Sequence, residues 1–200
     1  KDGKDYNKME VENMVILLFG ISNVGKTVTG EKLAEKLGYS FLDLDEEIKK
    51  RLQTTLERFM RDNPYHHERY IIKGKILRDL IDEYKENVVI AVSPIYYARN
   101  FNSLLDLEQV IAIELQDAEE HIFQRLVFSD EEDNIYIDDE YKNLHKDYYI
   151  KDIHGDIVYA RRAFKKIKNK YFINNRSVNQ VVDDLIVMIK NKSMEKTFSR

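Results

Sequence analysis

Gly20-Ile21-Ser22-Asn23-Val24-Gly25-Lys26-Thr27 follows the apolar run Met14-Val-Ile-Leu-Leu-Phe19 without a break. The run is short and continuously apolar, the pattern of a strand buried on both faces of a parallel sheet. Beyond the loop, Gly25 to Leu37 has helical spacing. Val28, Leu33, Ala34 and Leu37 gather on one side, Lys and Glu on the other, and Gly38 stops the helix. Strand, Gly-x-x-x-x-Gly-Lys-Thr loop and helix together make a phosphate cradle. Its glycines let the backbone curl so that successive N–H groups converge on a β-phosphate. Gly20, Ser22, Asn23, Val24, Gly25 and Val28 are expected to line a bound nucleotide, ATP or GTP. Lys26 is expected to reach its β- and γ-phosphates, and the Thr27 hydroxyl to ligate Mg²⁺. The loop by itself does not say what is done with the nucleotide.

Outward from this loop, strands and helices alternate. Ser40–Asp43, Val88–Val92, Val110–Leu115 and Tyr171–Ile173 read as further strands. Asp45–Leu52, Tyr65–Tyr84, Ala118–Phe128 and Val178–Lys190 read as helices, the first of them capped by Asp43 or Asp45. The alternation predicts an α/β fold of three layers, a parallel sheet with helices on both faces. Residues 13–190 form one domain on this reading, with a polar N-terminal extension over 1–12 and a polar tail over 191–200. Ser129 to Asp147 breaks the alternation with eight acidic residues against two Lys, which places a mobile lid within about 128–158.

The bulk composition narrows the function classes. A chain of 200 residues with net charge −4 has no basic excess to attract nucleic acid. It has no Cys, hence no disulfide, thiolate zinc site or cysteine nucleophile, which fits a reducing cytoplasm. No apolar run reaches the ~20 residues of a membrane helix. Oligomeric state is not legible.

The second predicted strand ends Phe41-Leu-Asp43-Leu-Asp45-Glu-Glu-Ile48. In an open α/β sheet the C-terminal strand ends line the ligand crevice. Two carboxylates there, beside the phosphate loop, divide naturally into a Mg²⁺ partner and an acceptor of a proton from a substrate hydroxyl. Either one also suits a helix cap.

With the phosphate loop about 18 residues upstream of Phe-x-Asp-x-Asp-x-x-Ile, the segment from Gly20 to Lys50 resembles the shikimate kinase family. The resemblance implies a small P-loop kinase that moves the ATP γ-phosphate to a hydroxyl. It further implies a five-stranded parallel sheet of order 2-3-1-4-5 with a lid insertion. It puts Asp43 near Mg²⁺ and makes Asp45 the residue that binds and deprotonates the acceptor hydroxyl. Arg69 becomes the grip on an acceptor carboxylate, Arg125 the side chain that stacks on adenine, and Arg161 or Arg162 a late substrate-binding Arg, with Ser93 lining the acceptor pocket. A polar or anionic small molecule is the implied acceptor.

The chain also departs from that family. Ser93-Pro94-Ile95 stands where the family has three glycines, so a donor is lost and bulk is added. After Arg125 the lid carries no Arg before Arg161. An acidic lid over an anionic substrate is electrostatically unfavourable. The expectation is therefore a retained nucleotide half and a remodelled acceptor half. Two alternatives stay open: a kinase for another small acceptor (nucleoside, nucleotide or sugar acid), and a non-catalytic nucleotide-binding protein. The basic stretch Arg161 to Lys170 reads either as a phosphate-facing group or as a solvated face. His66-His67 lacks a third metal ligand. Tyr96-Tyr97 follow Pro94 at the crevice rim, where they read equally as a wall of the acceptor pocket and as ordinary rim packing.

Overall fold

The computed structural model describes residues 13–198. Its strands are β1 (Val15–Phe19), β2 (Ser40–Asp43), β3 (Val88–Ala91), β4 (Val110–Gln116), β5 (Phe128–Ser129), β6 (Ile135–Tyr136) and β7 (Asn169–Phe172). Its helices are α1 (Lys26–Leu37), α2 (Leu44–Leu52), α3 (Leu56–Asp62), α4 (His66–Glu83), α5 (Glu119–Gln124), α6 (Asp139–Leu144), α7 (Lys146–Ala163) and α8 (Val178–Phe198). The main sheet has five parallel strands in the order β2-β3-β1-β4-β7, the expected 2-3-1-4-5 once the two lid strands are set aside.

Every side chain of β1 and β3 is buried, as continuous apolar strands require when helices cover both faces. The register fixes where the strands end. Leu18 lies opposite Ala91, Asp43 also lies opposite Ala91, and Phe19 lies opposite Glu114. Gly20, Asp43, Ser93 and Asp117 therefore emerge along one edge of the sheet.

Several elements differ from the sequence expectation. α5 ends at Gln124 rather than running to Phe128, because Phe128 and Ser129 pair with Tyr136 and Ile135 in an antiparallel hairpin. α3 was not expected; it is a short helix capped by Thr55, and Phe59 is its one buried side chain. α7 fills much of what reads as lid, and the closing helix continues past Lys190 through the polar segment to Phe198. The extension over 1–12 lies outside the described residues.

The acids of the lid have local work. Asp130 accepts from the backbone N–H groups of Glu132 and Asn134 and from the Asn134 side chain, which folds the hairpin turn. Asp138 caps α6 by accepting from Tyr141 N. Asp133, with φ 63°, accepts from Leu56 N at 2.8 Å and lies 3.9 Å from Lys49, tying the hairpin tip to the start of α3. These acids are thus engaged by turns, caps and a latch.

Gly74 inside α4 looks like a weak point by helix propensity. In the fold it is where α4 meets the turn after β3: a Cβ there would lie 2.6 Å from the Asn100 carbonyl oxygen. Gly74→Ala should therefore destabilise the protein, by about 1–3 kcal/mol, although propensity alone favours Ala by about 1 kcal/mol. Thermal denaturation reads the sign; a raised melting temperature would mean that the close approach is not real.

Candidate active site

The phosphate loop has the expected backbone. Gly20 (φ 151°), Asn23 (φ 58°) and Gly25 (φ 106°) take positive φ. A Cβ on Gly20 would lie 2.7 Å from the Leu115 carbonyl oxygen and 2.8 Å from Val24 Cγ1, so only Gly fits there. Asn23 takes the left-handed conformation that its side chain tolerates. Val24 is buried under the loop, while Ser22 and Thr27 are exposed on it. Val28, expected on the apolar side of α1, is instead 52% exposed beside the loop. It therefore borders the phosphate loop rather than the core. Lys26 Nζ donates to the Ile21 carbonyl at 2.8 Å, back across the cradle. Burial pulls its pKa down to about 8 despite Asp45 and Asp43 nearby.

The two expected carboxylates stand against this loop. Asp43 Oδ2 accepts from the Thr27 hydroxyl at 2.8 Å, and Asp43 Oδ1 accepts from Asp45 N at 2.9 Å, capping α2. Capping and site geometry thus coexist in one side chain. Burial raises the Asp43 pKa, against the hydrogen bond from Thr27. A hydroxyl and a carboxylate oxygen in contact at the mouth of a phosphate cradle suit Mg²⁺, which takes few protein oxygens and fills its octahedron with phosphate and water. Among the described residues no cluster of three or more His, Cys, Asp or Glu could hold a metal. Asp45 Oδ1 lies 3.4 Å from Lys73 Nζ. Lys73 was missed in the sequence; it sits one helical turn beyond Arg69, on the same face of α4.

Arg125 also reaches the loop. Its Nε donates to Asn23 O at 3.2 Å and its Nη2 to Asp117 Oδ2 at 2.7 Å. Asp117, 5% exposed, accepts in addition from His121 Nδ1 and Ala118 N, each at 2.9 Å. Burial alone would raise its pKa, but these hydrogen bonds outweigh it and hold the carboxyl below its ordinary value. Beside this group lies a cleft lined by Ile21, Val24, Asp117, Ile157, Arg161 and Phe172. Arg161 thus opens on the side of α7 that faces Asp117 and the phosphate loop, and Arg162 is exposed on that helix's last turn. In the basic stretch, Lys170 pairs with buried Glu114 and donates to Phe164 O at 2.8 Å.

The acceptor side looks different from expectation. Arg69 Nη1 donates to the carbonyls of Asn63 (3.0 Å) and Met60 (3.3 Å), and Nη2 to His66 Nδ1 (2.7 Å). The guanidinium thereby closes the C-terminal end of α3. Ile95 is fully buried, so its bulk enters the core rather than the crevice. Ser93 is 3% exposed and its Oγ has no hydrogen-bond partner among the described residues; the buried hydroxyl of Tyr96 faces Asp156. Tyr70 lies between Tyr96 and Tyr97, with ring centroids 6.0 and 5.6 Å away, and Tyr159 of α7 stacks on Tyr96 at 6.2 Å.

The Asp117 cluster yields a pH test. Its folded-state pKa is depressed, so its stabilisation is complete above the unfolded value near 4 and is lost as pH falls through the lower folded value. Asp117→Asn should cost about 2 kcal/mol at pH 7, with the deficit shrinking below about pH 4. Denaturant titrations at both pH values measure this; a pH-independent deficit would remove the ionic explanation.

The geometry can be set beside known proteins. A sequence profile of shikimate kinase matches residues 22–190. The pentafunctional AROM polypeptide of Schizosaccharomyces pombe is 28% identical over 186 residues, 88% of this chain but 11% of that protein, so the chain spans about a tenth of its length. Shikimate kinase from Acinetobacter baumannii, solved in complex with shikimate, superposes with a TM-score of 0.71 at 20% identity, over 90% of this chain and 94% of that one. A gluconokinase from Sinorhizobium meliloti 1021 superposes with a TM-score of 0.54 at 14% identity, over 93% and 97%. At these identities the superpositions establish the fold. The profile match runs from the phosphate loop across the acidic pair and the lid to α8, and the chain belongs to the shikimate kinase family.

Proposed function

We propose that this protein is an ATP- and Mg²⁺-dependent kinase that phosphorylates the hydroxyl of a small-molecule acceptor. One observation carries the reading: Thr27, Asp43 and Asp45 are hydrogen-bonded in series against the phosphate loop, Thr27 to Asp43 and Asp43 to the Asp45 backbone. Membership of a family of hydroxyl-accepting phosphotransferases supports it.

In this reading the loop amides from Gly20 to Gly25 and the Lys26 ammonium hold the β- and γ-phosphates. Thr27 and Asp43 hold Mg²⁺, which would supply neutralising charge on those phosphate oxygens. Arg125 and the apolar cleft beside Asp117 receive the base. Asp45 faces the acceptor. The acceptor oxygen attacks the γ-phosphorus while its proton passes to the Asp45 carboxylate. The bond from phosphorus to the bridging oxygen breaks, and ADP leaves with that electron pair. Lys73 Nζ, 3.4 Å from Asp45 Oδ1, anchors that side chain in place.

An acceptor other than shikimate is favoured within this reading, because Arg69 is engaged by backbone carbonyls and Arg161 opens elsewhere. The non-catalytic alternative is weakened: Ile95 is buried in the core, and the lid acids Asp130, Asp133 and Asp138 are engaged in a turn, a latch and a cap.

Asp45→Asn should lower kcat by about 10²–10⁴-fold while nucleotide affinity stays near that of the parent. Coupled-assay kinetics and calorimetry separate the two; kcat within a few-fold of the parent would remove Asp45 from proton transfer. Lys26→Met removes a half-buried charge, so it should abolish turnover and weaken ATP binding without lowering the melting temperature. A large fall in melting temperature would mean that Lys26 is structural.

A further inference from the structure

The acceptor end of the crevice holds carboxylate and tyrosine where an anion-binding kinase needs guanidinium. On α7, residues 152, 156 and 159 follow helical spacing and share one face, whereas Arg161 is five residues from Asp156, about 140° around the helix. Asp152, Asp156 and Tyr159 occupy that face. Tyr159 stacks on Tyr96, which brings this face over the turn after β3. Asp156 is half-buried there and feels Asp152, Tyr96 and Lys26. It also acts on Tyr70 of α4. The cations of the crevice have other engagements: Lys26 donates to the phosphate loop and Lys73 pairs with Asp45. Arg99 sits outside Tyr97, paired with His67.

One further observation marks this as a place built for a ligand. Ser93, two residues beyond β3, is 3% exposed and its Oγ has no hydrogen-bond partner among the described residues. Buried polar atoms are ordinarily satisfied, so it calls for a bound group that hydrogen-bonds. The Tyr96 hydroxyl is buried facing Asp156.

We infer that the acceptor is an amine-bearing alcohol, its hydroxyl presented to Asp45 and its ammonium held between Asp156 and the faces of Tyr70, Tyr96 and Tyr159. An ammonium satisfies a half-buried carboxylate and is attracted by tyrosine rings, whereas a carboxylate at the same place would be repelled by Asp156 and Asp152. Phosphoryl transfer itself is unaltered; the amine is a handle that orients the hydroxyl. This inference rests on the kinase reading above and specifies the substrate class of that same site.

The test uses matched probes: glucosamine as the amine-bearing alcohol, glucose as its uncharged counterpart, and gluconate and shikimate as carboxylates. ADP release is followed with Mg²⁺ and ATP, and binding of each probe is measured calorimetrically with Mg²⁺ and a non-hydrolysable ATP analogue. Glucosamine should exceed glucose by about tenfold or more in kcat/KM or affinity, with the carboxylates weakest. In Asp156→Asn the glucosamine-to-glucose ratio should fall towards parity. Rescue by Asp156→Glu distinguishes a lost charge from a damaged fold. No advantage of glucosamine over glucose in either measurement, preference for gluconate or shikimate, or a ratio unmoved in Asp156→Asn would each overturn the inference. ATP binding by the parent protein, measured without acceptor, tells the two failures apart: its absence sinks the kinase reading as well, its presence leaves that reading standing.

Discussion

β1 is paired on both sides, and the site depends on that constraint. Its parallel neighbours β3 and β4 fix its height in the sheet, so Gly20 leaves the strand level with Leu115, against whose carbonyl no side chain would fit. β2 is set by the same ruler, because Asp43 and Leu18 share Ala91 as their register partner. The hydrogen bond from Thr27 to Asp43 follows from these two registers rather than from flexible side chains finding each other. A slip of one residue in β2 would turn Asp43 to the opposite face of the sheet. The entirely buried, apolar β1 and β3 make such a slip costly, so the burial that stabilises the fold also positions the chemistry.

The nucleotide half was legible because its signals are local. Loop, cap and strand end are contiguous in sequence, and each needs particular residue types: Gly for positive φ, Lys for phosphate, Asp where a strand gives way to a helix. The sheet order followed from the alternation of elements and the family resemblance. The acceptor half was less legible because it depends on which face of a long helix meets the crevice. Arg69 and Lys73 are one turn apart on α4, and spacing alone does not say which of them reaches Asp45. Asp156 lies far along the chain in an element that did not stand out as a helix, and only the stacking of Tyr159 on Tyr96 reveals which way its stripe faces. α3 and the lid hairpin escaped notice because they are short and bury few side chains.

The two halves also differ in how freely they can change. On the proposed reading, phosphate binding would use backbone N–H groups and strand register, so altering it means altering the fold. Acceptor binding would use side chains projected from α4, α7 and the turn after β3, which can be exchanged while the sheet stays intact. α7 carries Asp156 beside Tyr96, and its Arg161 lines the cleft beside Asp117. The hairpin is tied to the start of α3 through Asp133, without a lid arginine.

The most direct test of the central claim, that this scaffold transfers a γ-phosphoryl group to a hydroxyl presented at Asp45, is ³¹P NMR of the protein with Mg²⁺, ATP and a pooled set of small alcohols spanning cationic, neutral and anionic members. The account predicts a new phosphomonoester resonance that grows in step with ADP and is absent in Asp45→Asn. ADP appearing with inorganic phosphate alone, or a phosphomonoester formed equally well by Asp45→Asn, would contradict it.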